Sequence, residues 1–420
     1  MKLSTSEPKT KSTTGAHQRL KTKIMTLLST KVLNLPESAT LKMARLAREL
    51  KAEGKDVISL SLGEPDFDTP NHIKEAAMQA LRDGYTKYTP VSGLPDLVQA
   101  IITKFKRDNG LAYNAGQIVV SNGAKQSIYN LSQALLNEGD EAIILAPYWV
   151  SYYDIIEMAG GIPVIVKAGI DQDFKVSPAQ LEAAITPKTK FVLFSSPCNP
   201  TGSVYLKEEL EGLAAVIAKH DIVVISDEIY EYINFTDKHA SIGTIESVKD
   251  KTVTVNGFAK GFAMTGWRLG YIGAPLWLAK ACAKIQSQVT SGATSFGQKA
   301  GSIALAVDMA PTAAMRDAFM KRRELIIGLL KKIPGVKTNF PKGAFYIFPD
   351  VSAFFGKSAD GFVVNNSDDL SEYLLKKGLV ATVSGAAFGD PNCIRISYAA
   401  SEAQLTEAVK RIGVALGRLS

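Results

Sequence analysis

The sequence has few of the side chains that disulfide scaffolds, metal centres and histidine-based catalytic sites require. Its three cysteines, Cys198, Cys282 and Cys393, lie far apart, and its four histidines are equally scattered. No CxxC pair and no Cys/His cluster occurs, so the spacing of ligands argues against a zinc site and favours a reducing compartment. We therefore predict a cytoplasmic protein without a metal centre.

Long apolar runs are also missing. A membrane-spanning helix needs about 18 or more apolar residues, whereas the longest candidates, residues 142–153 and 161–166, are interrupted by Pro, Gly or polar residues. The 46% apolar content still suffices for one large core or two moderate cores. We predict a soluble protein that does not have a membrane as a partner.

Positive charge is in excess only at the N-terminus. Residues 1–31 hold seven basic residues and one acidic residue and so carry +6 of the net +7, whereas the rest of the chain has 41 basic and 40 acidic residues. A basic face for nucleic acid is therefore not predicted. We interpret residues 1–31 as a basic, disordered extension, with an organellar transit peptide or a start at Met25 as alternatives.

Strand and helix patterns alternate from Ile118 onward, which predicts a mostly parallel sheet in an α/β fold. The predicted strands cover residues 118–120, 141–145, 162–166, 191–194, 222–226, 253–255 and 269–272. A smaller unit follows, with predicted strands at residues 344–348, 379–382 and 393–398. Its last helix begins at a capping box made by Ser401 and Gln404.

The segment TVTVNGFAKGFAMTGWRLGYIG, residues 252–273, places one Lys and one Arg on Gly-rich backbone behind a strand. Lys260 supplies an amine that can form a Schiff base with a carbonyl. Arg268 supplies a guanidinium that fits a phosphate, and the loop 121–124 ahead of a helix offers free backbone N–H groups to the same kind of anion. The alternatives are a solvated surface Lys and a plain strand–helix turn.

Polar side chains also follow other strands, at the edge where open α/β sheets bind ligands. Asp227 and Tyr230 end an apolar strand; a carboxylate there either meets a ligand or caps the following turn. Asn199 lies between two X-Pro bonds, which predicts a rigid turn with a cis bond as one option. The alternative for Asn199 is a simple loop that ends the strand.

Two further strand-borne residues are candidates for the site. Trp149 follows a strand end and can stack on a planar cofactor, although such a Trp is often ordinary core. Arg395 alternates with Ile394 and Ile396, so it points away from their apolar face. It can bind a carboxylate in bidentate fashion, or it can form an exposed salt bridge across strands.

Taken in order, these motifs resemble the class I pyridoxal-phosphate aminotransferases, and within them the bacterial-type aspartate aminotransferases. The resemblance runs from about residue 36 to the C-terminus. It rests on SLGEPDF, KYTPVSG, SNGAKQ, SPCNPTG, SDEIY, AKGFAMTGWRLGY and IRISYA. It implies the fold-type I architecture, with a large domain at residues 71–308 around a seven-stranded sheet and a small α+β domain made of residues 32–70 and 309–420.

The resemblance also implies pyridoxal 5′-phosphate as the cofactor and a homodimer with shared active sites. Lys260 would form the Schiff base and then move a proton, which requires the site to lower its pKa, and Asp227 would pair with the pyridinium nitrogen. Tyr230 and Asn199 would donate hydrogen bonds to the ring O3′, and Trp149 would stack on the ring. Arg268 and the backbone of Ala124 and Lys125 would bind the phosphate, together with Tyr88 from the neighbouring subunit. Arg395 and the backbone of Gly63 would bind the substrate α-carboxylate.

Two departures bear on affinity and specificity. Many relatives have Ser where this chain has Gly257, and Asn256 or backbone contacts would have to compensate. The region that supplies a substrate-binding Arg in animal-type relatives, residues 287–294, has no basic residue. Lys125 matches the bacterial-type Lys for the distal carboxylate, with Thr40 as a helper, although a solvated first-turn Lys is the alternative.

The predicted function is transfer of the amino group from L-aspartate to 2-oxoglutarate by a ping-pong mechanism. A prephenate or broad-specificity aminotransferase is the nearest alternative, because prephenate is also a dicarboxylate. A carbon–sulfur lyase shares the cofactor. A pyridoxal-phosphate-dependent regulator is disfavoured, since about 35 residues rich in Lys, Ser and Thr are too few for a helix-turn-helix domain.

Overall fold

The computed structural model describes residues 27–306 and 309–420. The predictions for residues 1–26 of the basic extension, including the start at Met25, lie outside the described residues. The chain divides into one unit of residues 1–37 and one of residues 38–420. In the first unit a short helix, α1 (Thr30–Asn34), is capped by Ser29, whose side chain accepts a hydrogen bond from the Val32 amide.

Residues 38–420 contain the elements of an α/β protein. The strands are β1 (Ile58–Ser59), β2 (Ile118–Ser121), β3 (Glu141–Ala146), β4 (Ile162–Lys167), β5 (Thr189–Ser195), β6 (Val223–Asp227), β7 (Thr252–Gly257), β8 (Gly270–Gly273), β9 (Tyr346–Ile347), β10 (Lys357–Ala359), β11 (Phe362–Val364), β12 (Val380–Ala381), β13 (Val383–Ser384) and β14 (Ile394–Ser397). The helices are α2 (Ala39–Ala52), α3 (Asn71–Arg82), α4 (Pro95–Lys104), α5 (Ala124–Leu135), α6 (Ser151–Met158), α7 (Pro178–Ala184), α8 (Lys207–Ile217), α9 (Leu276–Val289), α10 (Ser295–Ala306), α11 (Ala310–Leu330), α12 (Ser367–Gly378) and α13 (Glu402–Leu416). Among these described helices, none has both the length and the apolar character needed to cross a bilayer.

A seven-stranded sheet in the order β2-β8-β7-β6-β5-β3-β4 forms the centre of this unit. Its strands run parallel except for β8, which is antiparallel to both of its neighbours. Side chains of α5, α6 and α9 pack on one face, and those of α7 and α8, together with α3, α4 and α10, pack on the other. Burial on both faces explains the near-continuous Val/Ile/Leu runs of these strands, and the predicted fold-type I architecture is confirmed.

Smaller sheets lie outside the seven-stranded one. Antiparallel β14 pairs with β13 and β9, β1 pairs in parallel with β12, and β10 and β11 form a hairpin. The capping box is confirmed, because the Ser401 side chain accepts from the Gln404 amide and the Gln404 side chain returns to Ser401. The division into domains at residues 71–308, 32–70 and 309–420 stays a prediction.

The register of the large sheet brings several strand ends to one edge. Ser195 of β5 lies beside Asp227 of β6, and Asp227 lies beside Val255 of β7. The loop that follows β5 carries Asn199, and the loop that follows β7 carries Lys260. The Ser196–Pro197 peptide is cis, as is Ala146–Pro147.

Candidate active site

Lys260 lies just beyond the end of β7, with its amine turned towards the chain that follows β1. Its Nζ donates to the Gly63 carbonyl at 2.5 Å and lies 5.7 Å from the centre of the Tyr230 ring. Burial of the ammonium, with the Arg395 charge adding to it, lowers the pKa of Lys260 to about 8. The predicted lowering of this pKa is confirmed, and a neutral amine is accessible near neutral pH.

Asp227 is a buried carboxylate at the end of β6, only 3% exposed. Its Oδ2 accepts from the Tyr152 hydroxyl at 2.6 Å, and its Oδ1 accepts from the Ile229 amide at 3.2 Å. Burial raises the pKa of Asp227 to about 6, although both hydrogen bonds oppose the shift. One oxygen therefore does cap the following turn, while the other points to Tyr152 on α6, a residue that the sequence did not single out.

Arg395 of β14 is 1% exposed. Its guanidinium donates to Asn199 Oδ1 at 2.9 Å and to the Ser61 carbonyl at 2.6 Å, and it lies between the rings of Tyr346 and Phe388 at 4.7 and 4.8 Å. Among the described residues no carboxylate forms an ion pair with it. The alternative of an exposed salt bridge is therefore wrong, and a buried cation without an anion is a site for one.

Tyr346 of β9 contacts both Tyr230 and Arg395, and the sequence did not single it out either. Its hydroxyl lies 2.7 Å from that of Tyr230. A Cβ added to Gly63 would be 2.5 Å from the same hydroxyl. The backbone at Gly63 can approach Tyr346 only because it has no side chain, and this approach places the Gly63 carbonyl against Lys260.

The start of α5 and Arg268 form a second positive region. Gly123 is the N-cap residue of α5 at φ 83°, and no side chain caps the helix start that begins at Ala124. Arg268, at φ 54°, donates to the Thr265 carbonyl at 2.9 Å and lies over Gly123. Unpaired N–H groups at a helix start beside a guanidinium suit a phosphate.

Gly257 has a packing reason in this chain. A Cβ there would be 2.9 Å from the Gly270 Cα and 3.0 Å from the Leu269 carbonyl oxygen. A Cβ on Gly270 would in turn be 2.3 Å from the Ala124 amide nitrogen. The close approach of β7, β8 and α5 therefore leaves no room for the Ser of other relatives. Asn256 is buried, and its Oδ1 accepts from the Gly257 amide at 2.7 Å.

Lys125 and Trp149 lie together at the start of α5 and α6. The Lys125 ammonium is 4.9 Å from the Trp149 ring, and this half-buried ring packs edge-on against Tyr152 at 5.5 Å. Lys125 is exposed as a residue, yet its head group is partly enclosed. This desolvation, together with the charge of Arg268, lowers the pKa of Lys125. The Lys125 ammonium thus lies beside Trp149, which packs against Tyr152, the residue that donates a hydrogen bond to Asp227.

Two predicted site residues are not brought to this cluster within residues 27–306 and 309–420. Tyr88 lies in the loop after α3 and is 96% exposed. Thr40 lies in the first turn of α2 and has no polar contact to the other predicted residues. Its neighbour Ala39 packs against an apolar cluster that includes Trp149 and Phe388.

The residues present fit pyridoxal phosphate. The described groups offer an amine of lowered pKa, a buried carboxylate that a protonated ring nitrogen would neutralise, and a helix start with Arg268 for a phosphate. The ring of Tyr230 lies near the Lys260 amine, and the ring of Trp149 packs against Tyr152, whose hydroxyl contacts Asp227. Each chemical part of the cofactor therefore has a complementary partner.

Comparison with known proteins agrees with this chemistry. Residues 55–412 match the family described as aminotransferase class I and II. A bifunctional aspartate aminotransferase and glutamate/aspartate-prephenate aminotransferase of Petunia hybrida is 48% identical over 93% of this chain and 82% of its own. An aspartate/prephenate aminotransferase of Cereibacter sphaeroides is 46% identical over 92% and 98%.

Solved structures are similar as well. The aspartate aminotransferase of Rhizobium meliloti has a TM-score of 0.90 and 42% identity, with 94% of this chain and 99% of that chain covered. The aspartate aminotransferase of Thermus thermophilus with maleate has a TM-score of 0.87 and 41% identity, with 92% and 99% covered. This chain belongs to the class I and II aminotransferases and is a pyridoxal-phosphate-dependent enzyme.

Proposed function

We propose that the enzyme transfers the amino group of L-aspartate to 2-oxoglutarate, giving oxaloacetate and L-glutamate, in two half-reactions that share one site. The buried guanidinium of Arg395 carries this proposal, since it has no described carboxylate partner and lies beside Asn199. An amino acid and a 2-oxo acid share one α-carboxylate, and the planar fork of Arg395 suits either.

The bound cofactor would supply the carbonyl for the amine and an electron sink for the carbanion. Lys260 would act first as the attachment point and then, as a free amine whose pKa is about 8 in the cofactor-free protein, accept the proton from the substrate's Cα and deliver it to the former carbonyl carbon of the cofactor. Asp227 would hold the ring nitrogen protonated. Arg268 and the first N–H groups of α5 would hold the phosphate, and Tyr230 and Asn199 would orient the ring.

Substrate choice is proposed to depend on Lys125. Its ammonium over Trp149 is a cation for a distal carboxylate, with Thr40 as a helper. The relatives named above act, by their names, on aspartate, glutamate and prephenate, and the Thermus structure contains maleate, also a dicarboxylate. Prephenate or a broader range of substrates is the second candidate, because both prephenate carboxylates could use the same two cations.

We further propose a cytoplasmic homodimer in which Tyr88 reaches the cofactor phosphate of the partner subunit. The 96% exposure of Tyr88 leaves its hydroxyl available for such a contact. The Ser295 hydroxyl holds the Tyr85 carbonyl at 2.5 Å, so the loop that carries Tyr88 has a fixed base. An organellar location is the alternative if residues 1–31 act as a transit peptide.

The test is spectroscopic. The purified protein should absorb visible light through its bound cofactor, and L-aspartate without an oxo acid should convert that band to the amine form while releasing oxaloacetate. Lys260→Ala should abolish both the band and turnover, whereas Lys249→Ala, which removes an exposed Lys paired with Glu246, should change neither. Turnover of aspartate by Lys260→Ala would overturn the assignment.

A further inference from the structure

A buried group of charged and amide side chains lies behind the segment that carries Asp227 and Tyr230. We name it the rear cluster; its members are Lys104, Asn109, Glu228, Glu231 and His239. Glu228 and Lys104 are 0% exposed, and Asn109 and Glu231 are at most 6% exposed. The segment from Asp227 to Glu231 therefore has side chains on two sides, one towards the cofactor site and one towards this cluster.

Glu228 is the most heavily bonded member of the rear cluster. Its Oε1 accepts from the hydroxyls of Ser226 at 3.0 Å and Ser241 at 2.6 Å. Its Oε2 lies 2.8 Å from His239 Nε2 and 3.3 Å from Asn109 Nδ2. Donors from β6, from the loop before β7 and from the turn after α4 therefore fix one carboxylate, and such a network restricts its residue strongly.

The charges of the rear cluster are matched in pairs. Lys104 forms an ion pair with Glu231 and donates to Asn109 Oδ1 at 2.7 Å, while Asn109 Nδ2 donates to Glu231 at 2.6 Å. Burial disfavours the imidazolium of His239, but the Glu228 carboxylate outweighs this and raises the His239 pKa. Glu228, Glu231 and His239 have the residue types of a metal site, yet Lys104 and His239 already supply a cation to each carboxylate.

The backbone connects the cluster to Asp227. The Ile229 amide, which donates to Asp227 Oδ1 at 3.2 Å, belongs to the peptide unit that Glu228 begins. The Glu228 amide donates to the Val255 carbonyl of β7 at 2.9 Å, and the Glu231 amide donates to the Glu228 carbonyl at 2.9 Å. The direction of the Asp227 carboxylate therefore depends on how residue 228 is held.

We propose that Glu228 is a positioning residue that, through its buried hydrogen bonds, aims the Asp227 carboxylate at the ring nitrogen of the cofactor. This inference rests on the proposed role of Asp227. Glu228 does not touch the cofactor or the substrate, and its effect is transmitted through the 228–229 peptide.

The experiment measures cofactor affinity in a double-mutant cycle on the full chain. Glu228→Gln keeps the side-chain shape but replaces the carboxylate that contacts His239, Ser226 and Ser241 with a neutral amide. This variant should bind pyridoxal phosphate about tenfold or more weakly. It should also shift the midpoint at which the bound cofactor's visible band titrates. Glu182→Gln is the matched control, since Glu182 also contacts a histidine, His220, at 3.2 Å, but where both side chains are partly exposed to solvent.

In the Asp227→Ala background, Glu228→Gln should weaken cofactor binding by less than about twofold, because the group that it positions is gone. Equal effects in both backgrounds, or a Glu228→Gln variant that behaves like the control, would overturn the inference. If Glu228→Gln does not fold, Ser241→Ala, which removes a single hydrogen bond to Oε1, takes its place in the cycle with the same criteria. Wild-type protein that fails to bind the cofactor would instead contradict the proposed function.

Discussion

The guanidinium of Arg268 lies so close over Gly123 that a methyl group on Gly123 would be 2.5 Å from Nη2. The two residues are 145 positions apart in the sequence, and they meet because β8 lies beside β2 in the sheet. The proposed phosphate site, made by Arg268 and the start of α5, therefore depends on this close contact as well as on the charge of Arg268.

Gly123→Ala should consequently displace Arg268 and weaken binding of pyridoxal phosphate by about tenfold or more. Part of any effect would come from the positive φ of 83°, which a residue with a Cβ adopts at a cost. Gly139→Ala is the matched control, because Gly139 has φ 85° but no atom within 4 Å of the added Cβ. Equal loss of cofactor affinity in the two variants, measured by titration of cofactor-free protein, would contradict a steric role.

Gly63 and Tyr346 offer a test by rescue. Gly63→Ala should reduce kcat/KM strongly, because its Cβ would be 2.5 Å from the Tyr346 hydroxyl while the next atom, Cζ, is 3.6 Å away. Tyr346→Phe removes only that hydroxyl, so the double variant should be more active than Gly63→Ala alone. Additive losses in a double-mutant cycle would show that the clash is not the cause.

Asp227 predicts a stability that depends on pH in the cofactor-free protein. Burial raises its pKa from 3.8 to about 6, so between these values the folded state binds more protons than the unfolded state. Stability should therefore fall as the pH rises from about 4 to 6, by up to about 3 kcal/mol. Asp227→Asn cannot ionise and should raise the melting temperature at pH 7 relative to wild type, with no gain at pH 4.

The control for this measurement is Asp140, a carboxyl whose pKa is shifted in the opposite direction. The pKa of the surface carboxyl of Asp140 is lowered, mainly by a hydrogen bond from the backbone amide of Asn137 and also by one from the Asn137 side chain. Asp140→Asn should therefore give no gain at pH 7. A melting temperature of Asp227→Asn below that of wild type at pH 7 would contradict the prediction that the ionised Asp227 carboxylate destabilises the cofactor-free protein.

Lys125→Met tests the specificity proposal. Loss of a cation that meets a distal carboxylate should reduce kcat/KM for aspartate about ten- to a hundredfold, a cost typical of a charged hydrogen bond, and leave that for alanine nearly unchanged. Lys376→Met is the control, because Lys376 also lies over an aromatic ring, that of Phe362 at 5.5 Å, but on α12. Equal losses for aspartate and alanine would remove Lys125 from substrate choice.

The sequence predicted most of the large sheet, because buried parallel strands read as apolar runs with turn residues at their ends. The hairpin of β10 and β11 was not predicted, because its strands are only three residues long and all of their residues except Val364 are exposed or half-buried; Gly361 lies in the turn between them.

Within the site, the resemblance predicted the residues that we propose to contact the cofactor and substrate, but not those that support them. Tyr152 lies on a helix and Tyr346 in an apolar strand, while Glu228 directly follows Asp227; their contacts to Asp227, Tyr230 and His239 come from tertiary packing. The Gly63–Lys260 contact joins positions 197 residues apart. No local spacing encodes such a contact, whereas the strand-end position of Asp227 could be read directly from the chain.

Strand β8, the one strand of the seven-stranded sheet that runs antiparallel to its neighbours, has a consequence for a chain that is still being synthesised. β2 is made early, but it joins the other parallel strands only through β8, and pairings so distant in sequence form slowly. A nascent chain that ends before Gly270 can pair β3 to β7 but leaves β2 without a neighbouring strand. The proposed phosphate site of Arg268 and the start of α5 is therefore completed only when β8 inserts, so acquisition of cofactor would report the closure of the sheet.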